Sequence, residues 1–140
     1  MSICVRYLLP IAAAAMLGGC GIQESYKVSG AEAEHFHAAM SAGNSDQIWD
    51  SAAPGFRSSH DKAQFAALLD AIGRKLGKVK EAKQTGWNAN SNNGVSTVTI
   101  KFDTTFERGS GQETIAMLWV SDKSLKLLDY KIDSQEMLIK

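Results

Sequence analysis

Val95-Ser-Thr-Val-Thr-Ile-Lys-Phe-Asp-Thr-Thr-Phe106 alternates: Val98, Ile100, Phe102 and Phe106 share one parity, and Thr97, Thr99, Lys101 and Asp103 hold the other. A period of two is the pattern of a strand with one apolar face. Two more β-rich runs follow at hairpin spacing. Glu107-Arg-Gly-Ser-Gly111 leads into Gln112 to Val120, and Ser121-Asp-Lys-Ser124 leads into Leu125 to Asp133. On the upstream side, Lys78 to Asn90 places Val79, Ala82, Trp87 and Ala89 among lysines. That pattern predicts an edge strand with a kink or bulge near Gly86, its lysines guarding against edge pairing. Asn92-Asn93-Gly94 then supplies an Asn-Gly turn into the central strands. Together the four runs predict a curved antiparallel meander whose apolar face needs a lid.

The lid is written in the preceding helical half. Ser29-Gly-Ala-Glu32 has capping-box spacing, which predicts a helix start, and Ala33, Phe36, His37 and Met40 then recur at i, i+3, i+4 and i+7. Gly43 suits the left-handed residue that closes such a helix. Ser45 to Ala52 reads as a short helix carrying Ile48 and Trp49, ended by Pro54-Gly55. In Ser59 to Leu76 the residues Phe65, Leu68, Leu69, Ile72 and Leu76 form one stripe, with Gly77 as the C-cap. The expected class is α+β: three N-terminal helices on a four-stranded sheet, in one domain over residues 29–140.

The first 19 residues read as an address. A single charge, Arg6, precedes the apolar run Tyr7 to Leu17, and Gly18-Gly19-Cys20 follows. The run is about half of the roughly 20 residues a spanning helix needs, and Pro10 interrupts it. Leu17-Gly18-Gly19-Cys20 resembles a bacterial lipobox. The resemblance implies diacylglycerol on the Cys20 sulfur, cleavage before Cys20 and acylation of the new amine, enough chains for stable anchoring. Gly21, where an aspartate would favour the inner membrane in diderm lipoproteins, points to the periplasmic face of the outer membrane. Residues 20–28 then serve as lipidated cysteine and tether.

Charge and cysteine content exclude several classes. The 140 residues hold 15 basic and 15 acidic side chains, so no electrostatic footprint for nucleic acid exists. Cleavage would remove only Arg6 from that balance. Cys4 and Cys20 are the two cysteines, which leaves the folded part without a thiol for a disulfide, a thiolate metal site or a nucleophile. His35 and His37 lie two apart on a helix, about 200° around its axis, and cannot chelate one ion together. No metal or cofactor is expected. His37 on the apolar stripe reads as a partly buried, locally bonded histidine, and His60 as a solvent-facing residue at a helix start.

Three helices followed by four strands, with Ile48-Trp49-Asp50, Phe56-Arg57, Phe65, Leu76-Gly77, Phe102 to Phe106-Glu107, Glu113-Thr114 and Tyr130 in order, resemble the NTF2-like (cystatin-like) superfamily. The narrower likeness is to its small exported families of unknown function. The resemblance implies a cone between sheet and helices, and enzymes of that superfamily use an Asp, His or Tyr reaching into it. Asp103 belongs to the polar parity of its strand, Asp50 follows Trp49 on a short helix, and Asp129 alternates with Leu128 and Tyr130. No carboxylate is thus expected to aim at the apolar interior, which disfavours a buried general base.

The expected function is a lipid-anchored envelope domain that binds a protein or a small apolar ligand without catalysis, with Trp49, Met117, Trp119 and Tyr130 as candidate pocket or interface residues. The alternatives are a lyase or isomerase acting in the cone, and a structural subunit of an envelope complex. Gln112 to Val120 adds one further expectation. It is apolar on both parities, with Ile115, Met117 and Trp119 on one and Ala116, Leu118 and Val120 on the other. Such a strand lies centrally and needs cover on both faces. Either another copy or an envelope partner covers the helix-free face, or the C-terminal Met137, Leu138 and Ile139 fold back over it.

Overall fold

The computed structural model describes residues 20–121 and 124–139. Five helices and four strands follow one another in the order α1 (Cys20–Ser41), α2 (Ser45–Ser51), α3 (Pro54–Ser59), α4 (Lys62–Lys75), β1 (Val79–Asn92), β2 (Val95–Phe106), β3 (Gly109–Ser121), β4 (Ser124–Asp133) and α5 (Gln135–Leu138). The strands form a single antiparallel sheet in the order β1-β2-β3-β4, so the predicted α+β meander is the architecture. β3 is one of its two inner strands, as its two-sided apolar pattern requires.

Register and turns follow the local chemistry. The β1–β2 turn places Asn93 and Gly94 at φ 52° and 78°, the left-handed pair a tight hairpin demands. β1 carries a register shift between Gln84 and Gly86, at the predicted kink. The turn between β2 and β3 is shorter than the sequence pattern suggests, because β3 already begins at Gly109. A Cβ on Gly109 would come within 2.9 Å of both Leu76 and Glu136, so the missing side chain is what lets α5 approach the strand.

The core lies between the sheet and the helices. Val98, Ile100, Phe102 and Phe106 of β2 and Ile115 and Met117 of β3 meet Phe36 and Met40 of α1, Ile48 of α2, Phe56 of α3, and Phe65, Leu69 and Ile72 of α4. An aromatic cluster of Trp49, Phe56 and Phe65 joins α2, α3 and α4, with ring centroids 4.9 to 6.2 Å apart. The helices also guard the β4 edge: the Ala53 amide donates to the Leu127 carbonyl at 2.8 Å.

Three helix boundaries differ from the sequence reading. α1 does not start at Ser29 but runs unbroken from Cys20, so residues 20–28 are helical. Ser29 sits fully buried inside the helix; its hydroxyl donates to the Tyr26 carbonyl and accepts from the Trp87 indole at 3.0 Å. The capping-box spacing was overridden because Trp87, on β1, competes for the serine oxygen. Pro54 does not simply end α2; it occupies the first turn of an additional helix, α3, where a missing amide hydrogen costs nothing. The stripe helix begins at Lys62 with Asp61 as its N-cap, whose carboxylate accepts from the Gln64 amide at 2.9 Å, and Gly77 closes it at φ 83°.

The C-terminal segment does not cover the helix-free face of the sheet. Lys75 on α4 holds it at the other end of the molecule by donating to the carbonyls of Met137 and Ile139 at 3.1 and 2.9 Å. Leu138 and Ile139 remain exposed, and so does Val120 on the face they would have covered.

Candidate functional site

Two features converge between α1 and the sheet, a buried polar cluster and an open apolar cleft. Their placement follows from strand parity. β2 and β3 pair Val98 with Met117, Ile100 with Ile115 and Phe102 with Glu113, so Glu113 shares the inward face with the core residues. It is 1% exposed. This overturns the expectation that no carboxylate aims into the interior: that reading weighed only aspartates, whereas the inward acid is a glutamate in phase with Ile115 and Met117. The signal was present in the sequence, in the parity of Glu113.

Three donors converge on this carboxylate. The Thr104 hydroxyl from β2 and the His37 ring from α1 both donate to Oε1, the latter from Nε2 at 2.9 Å. The Tyr130 hydroxyl from β4 donates to Oε2 at 2.5 Å. An ionised carboxylate only accepts, so Nε2 of His37 must carry a proton. His37 is therefore buried and tied to a strand residue far away in sequence, not bonded locally as its place on the stripe suggested. Its ring also stands edge-on to Phe102 at 5.3 Å.

Burial by itself would push the Glu113 carboxyl up. The hydrogen bond from His37, the charge of that ring when protonated, and the bonds from Thr104 and Tyr130 outweigh burial and hold it below its ordinary value of 4.5. Burial, then the neighbouring Glu113 charge and hydrogen bond, push the Tyr130 phenol far above its ordinary value. Among the described residues every buried side-chain nitrogen and oxygen has a hydrogen-bond partner. Chemically, Glu113 is an ionised, enclosed acceptor with three of its roughly four lone-pair sites filled. Such a group is a weak base with no free approach. What it does is fasten α1 to β2, β3 and β4 at once.

Beside this cluster lies a cleft of about 580 Å³ between α1, α2 and the β3–β4 half of the sheet. Its floor is buried and apolar, made by Phe36, Ile48, Ile115, Met117 and Leu125. Its rim is polar, with His35, Asn44, Gln47 and Ser51 exposed to solvent. Glu113 does not line it.

Of the residues singled out from sequence, Met117 is in the cleft floor. Tyr130 is in the polar cluster, packed 4.8 Å from Phe36. Trp49 belongs to the aromatic cluster behind α2, and Trp119, half-buried, pairs across β3–β4 with Leu125. The structure thus does not gather the four into one pocket. Asp50 and Asp103 face solvent. His60 caps the end of α3, not the start of a helix; it stacks on Phe56 at 4.2 Å and lies 3.5 Å from Asp129. Among the described residues no group of three or more His, Cys, Asp or Glu side chains could hold a metal ion. Nor is any helix among them long and apolar enough to cross a membrane.

Residues 32–130 match the family described as "Protein of unknown function (DUF4019)". The chain belongs to this family. The match opens at Glu32 on α1 and closes at Tyr130, so it spans the whole Glu113 cluster and the cleft. No curated protein and no solved structure matches the chain.

Proposed function

We propose that this member of the family is a lipid-anchored domain of the bacterial envelope, of NTF2-like type, whose cleft binds a small apolar ligand without transforming it. The observation that carries the reading is the contrast between the two features of the site. The cleft, at about 580 Å³, has the size of a small-molecule site, with an apolar floor and a few polar groups at its mouth. Among the described residues the one carboxylate that points inward is closed off from it and occupied by three donors of its own chain. An acid or base for a lyase or isomerase needs reach to the substrate proton. Here the polar cluster supports the wall of the cleft and the cleft does the binding.

Nile red, an uncharged apolar dye, tests this with the domain beginning at residue 20 and carrying Cys20→Ser. Saturable binding with a blue-shifted emission is expected. Ala39→Trp, which places an indole in the cleft from α1, should abolish it while leaving the circular dichroism spectrum unchanged. Dye binding that ignores Ala39→Trp would reject the cleft as the site.

A further inference from the structure

The end of the sheet holding the β2–β3 turn, the end of α4 and the C-terminal segment carries Lys75, Lys78, Lys80, Glu107, Arg108, Asp133 and Glu136. At the other end no charged residue occurs between Lys83 and Lys101 on β1 and β2, nor between Glu113 and Asp122 on β3; the charges there are Glu24 and Lys27 on α1, Lys126 on β4, and Asp122 and Lys123 in the sequence between β3 and β4. Two exposed large apolar side chains stand there. Two positions beyond the last β2–β3 pair, Thr97 with Leu118, Val95 and Val120 are 53% and 44% exposed.

Helix α1 delivers its N-terminus to this same end. It runs antiparallel to β1: Ser41 accepts from the Val79 amide, and Ser29 accepts from the Trp87 indole. Beyond Ser29 the helix continues nine residues to Cys20, about 13 Å at the helical rise. Beyond Trp87 the strand β1 continues five residues to Asn92, about 17 Å at the strand rise. Cys20 therefore arrives roughly level with the β1–β2 turn. On the way Tyr26, half-exposed, leans on Trp87 at 5.7 Å, an aromatic pair of the kind found at membrane–water interfaces.

From this juxtaposition of Cys20, Val95, Val120 and the Tyr26–Trp87 pair, we infer that the end of the domain carrying the β1–β2 turn rests on the lipid leaflet that holds the Cys20 acyl chains. The inference rests on the lipid-anchor reading above and adds an orientation to it. A continuous helix from anchor to core leaves little slack for the domain to turn away, and the exposed valines and the Tyr26–Trp87 pair suit the headgroup region. The end holding α5 then faces away from the membrane.

The test uses the full chain purified from membranes, with Val95→Cys, Val120→Cys or Leu138→Cys as single labelling sites. Cys4 is removed with the signal and the Cys20 sulfur is blocked by acylation, so nitrobenzoxadiazole reacts only at the new thiol. The labelled proteins are placed in phosphatidylethanolamine–phosphatidylglycerol vesicles with and without nitroxide-bearing lipid. Emission from positions 95 and 120 should be blue-shifted and lost to the nitroxide, while emission from position 138 is retained. Acylated protein in which 95 and 120 are quenched no more than 138 overturns the orientation. This includes a blue shift without quenching, which would assign the two valines to contact with a second copy. Absence of an acyl mass on Cys20 overturns the anchor itself, and the orientation with it, so the two failures are told apart.

Discussion

Replacing Tyr130 by phenylalanine removes one hydroxyl from the buried cluster and leaves the ring that packs on Phe36 in place. Oε2 of Glu113 then loses its donor at 2.5 Å, and no water can take over at a side chain this enclosed. A hydrogen bond to a charged group contributes about 1.5–3 kcal/mol, so a loss of about 2 kcal/mol at neutral pH is expected. With a urea dependence of about 1–3 kcal/mol per molar, the unfolding midpoint should fall by roughly 1 M. The pH dependence carries the stronger test. Glu113 titrates below its ordinary 4.5 in the folded state, so its contribution is complete above that value and is lost as the pH falls through the folded value. Tyr130→Phe raises the folded value, so the gap between the two proteins narrows as the pH falls through the folded values, below which a neutral carboxyl makes only a bond worth about 0.5–1.5 kcal/mol. At the alkaline end the sign reverses. The native phenol titrates above its ordinary 10.0, so the wild type loses stability as the pH rises past that value, and the variant lacks this loss. A difference under about 0.5 kcal/mol at pH 7, or one that stays constant down to the lowest pH at which the fold survives, would refute the ionised, triply bonded carboxylate.

Cys20→Ser should release the protein from the membrane fraction and remove the acyl mass while the domain still folds; attachment that survives without any acyl group would sink the lipobox reading. Gly77→Ala should cost at least about 1–2 kcal/mol in thermal or urea unfolding, because a left-handed residue gains a Cβ that meets Glu107 at 2.9 Å. An unchanged midpoint would mean that the α4–β1 junction relaxes freely. Ser29→Ala removes the acceptor of the Trp87 indole and should speed amide hydrogen exchange through residues 20–28 with little change in the sheet. Equal protection in the two proteins would show that this half of α1 is held by something other than Trp87.

The sheet was legible in the sequence because strand parity and turn chemistry are local. Val98, Ile100 and Phe102 against Thr97, Thr99 and Lys101 fixed the face of β2, Asn93-Gly94 fixed its entry turn, and the two-sided apolar pattern of β3 fixed its inner position. The stripe of α4 and its Gly77 stop were equally local. What the sequence left open were the contacts between distant segments. Ser29 looked like a helix cap until Trp87, across the fold on β1, was seen to donate to it. His37 looked like a core histidine with a nearby partner because nothing within a few residues announces Glu113. The acid itself carried the right parity, but parity says only which face a side chain takes, not whether donors from α1, β2 and β4 wait there. That meeting is decided by how the helix crosses the curved sheet, and a buried carboxylate is tolerated only where such a crossing supplies its hydrogen bonds.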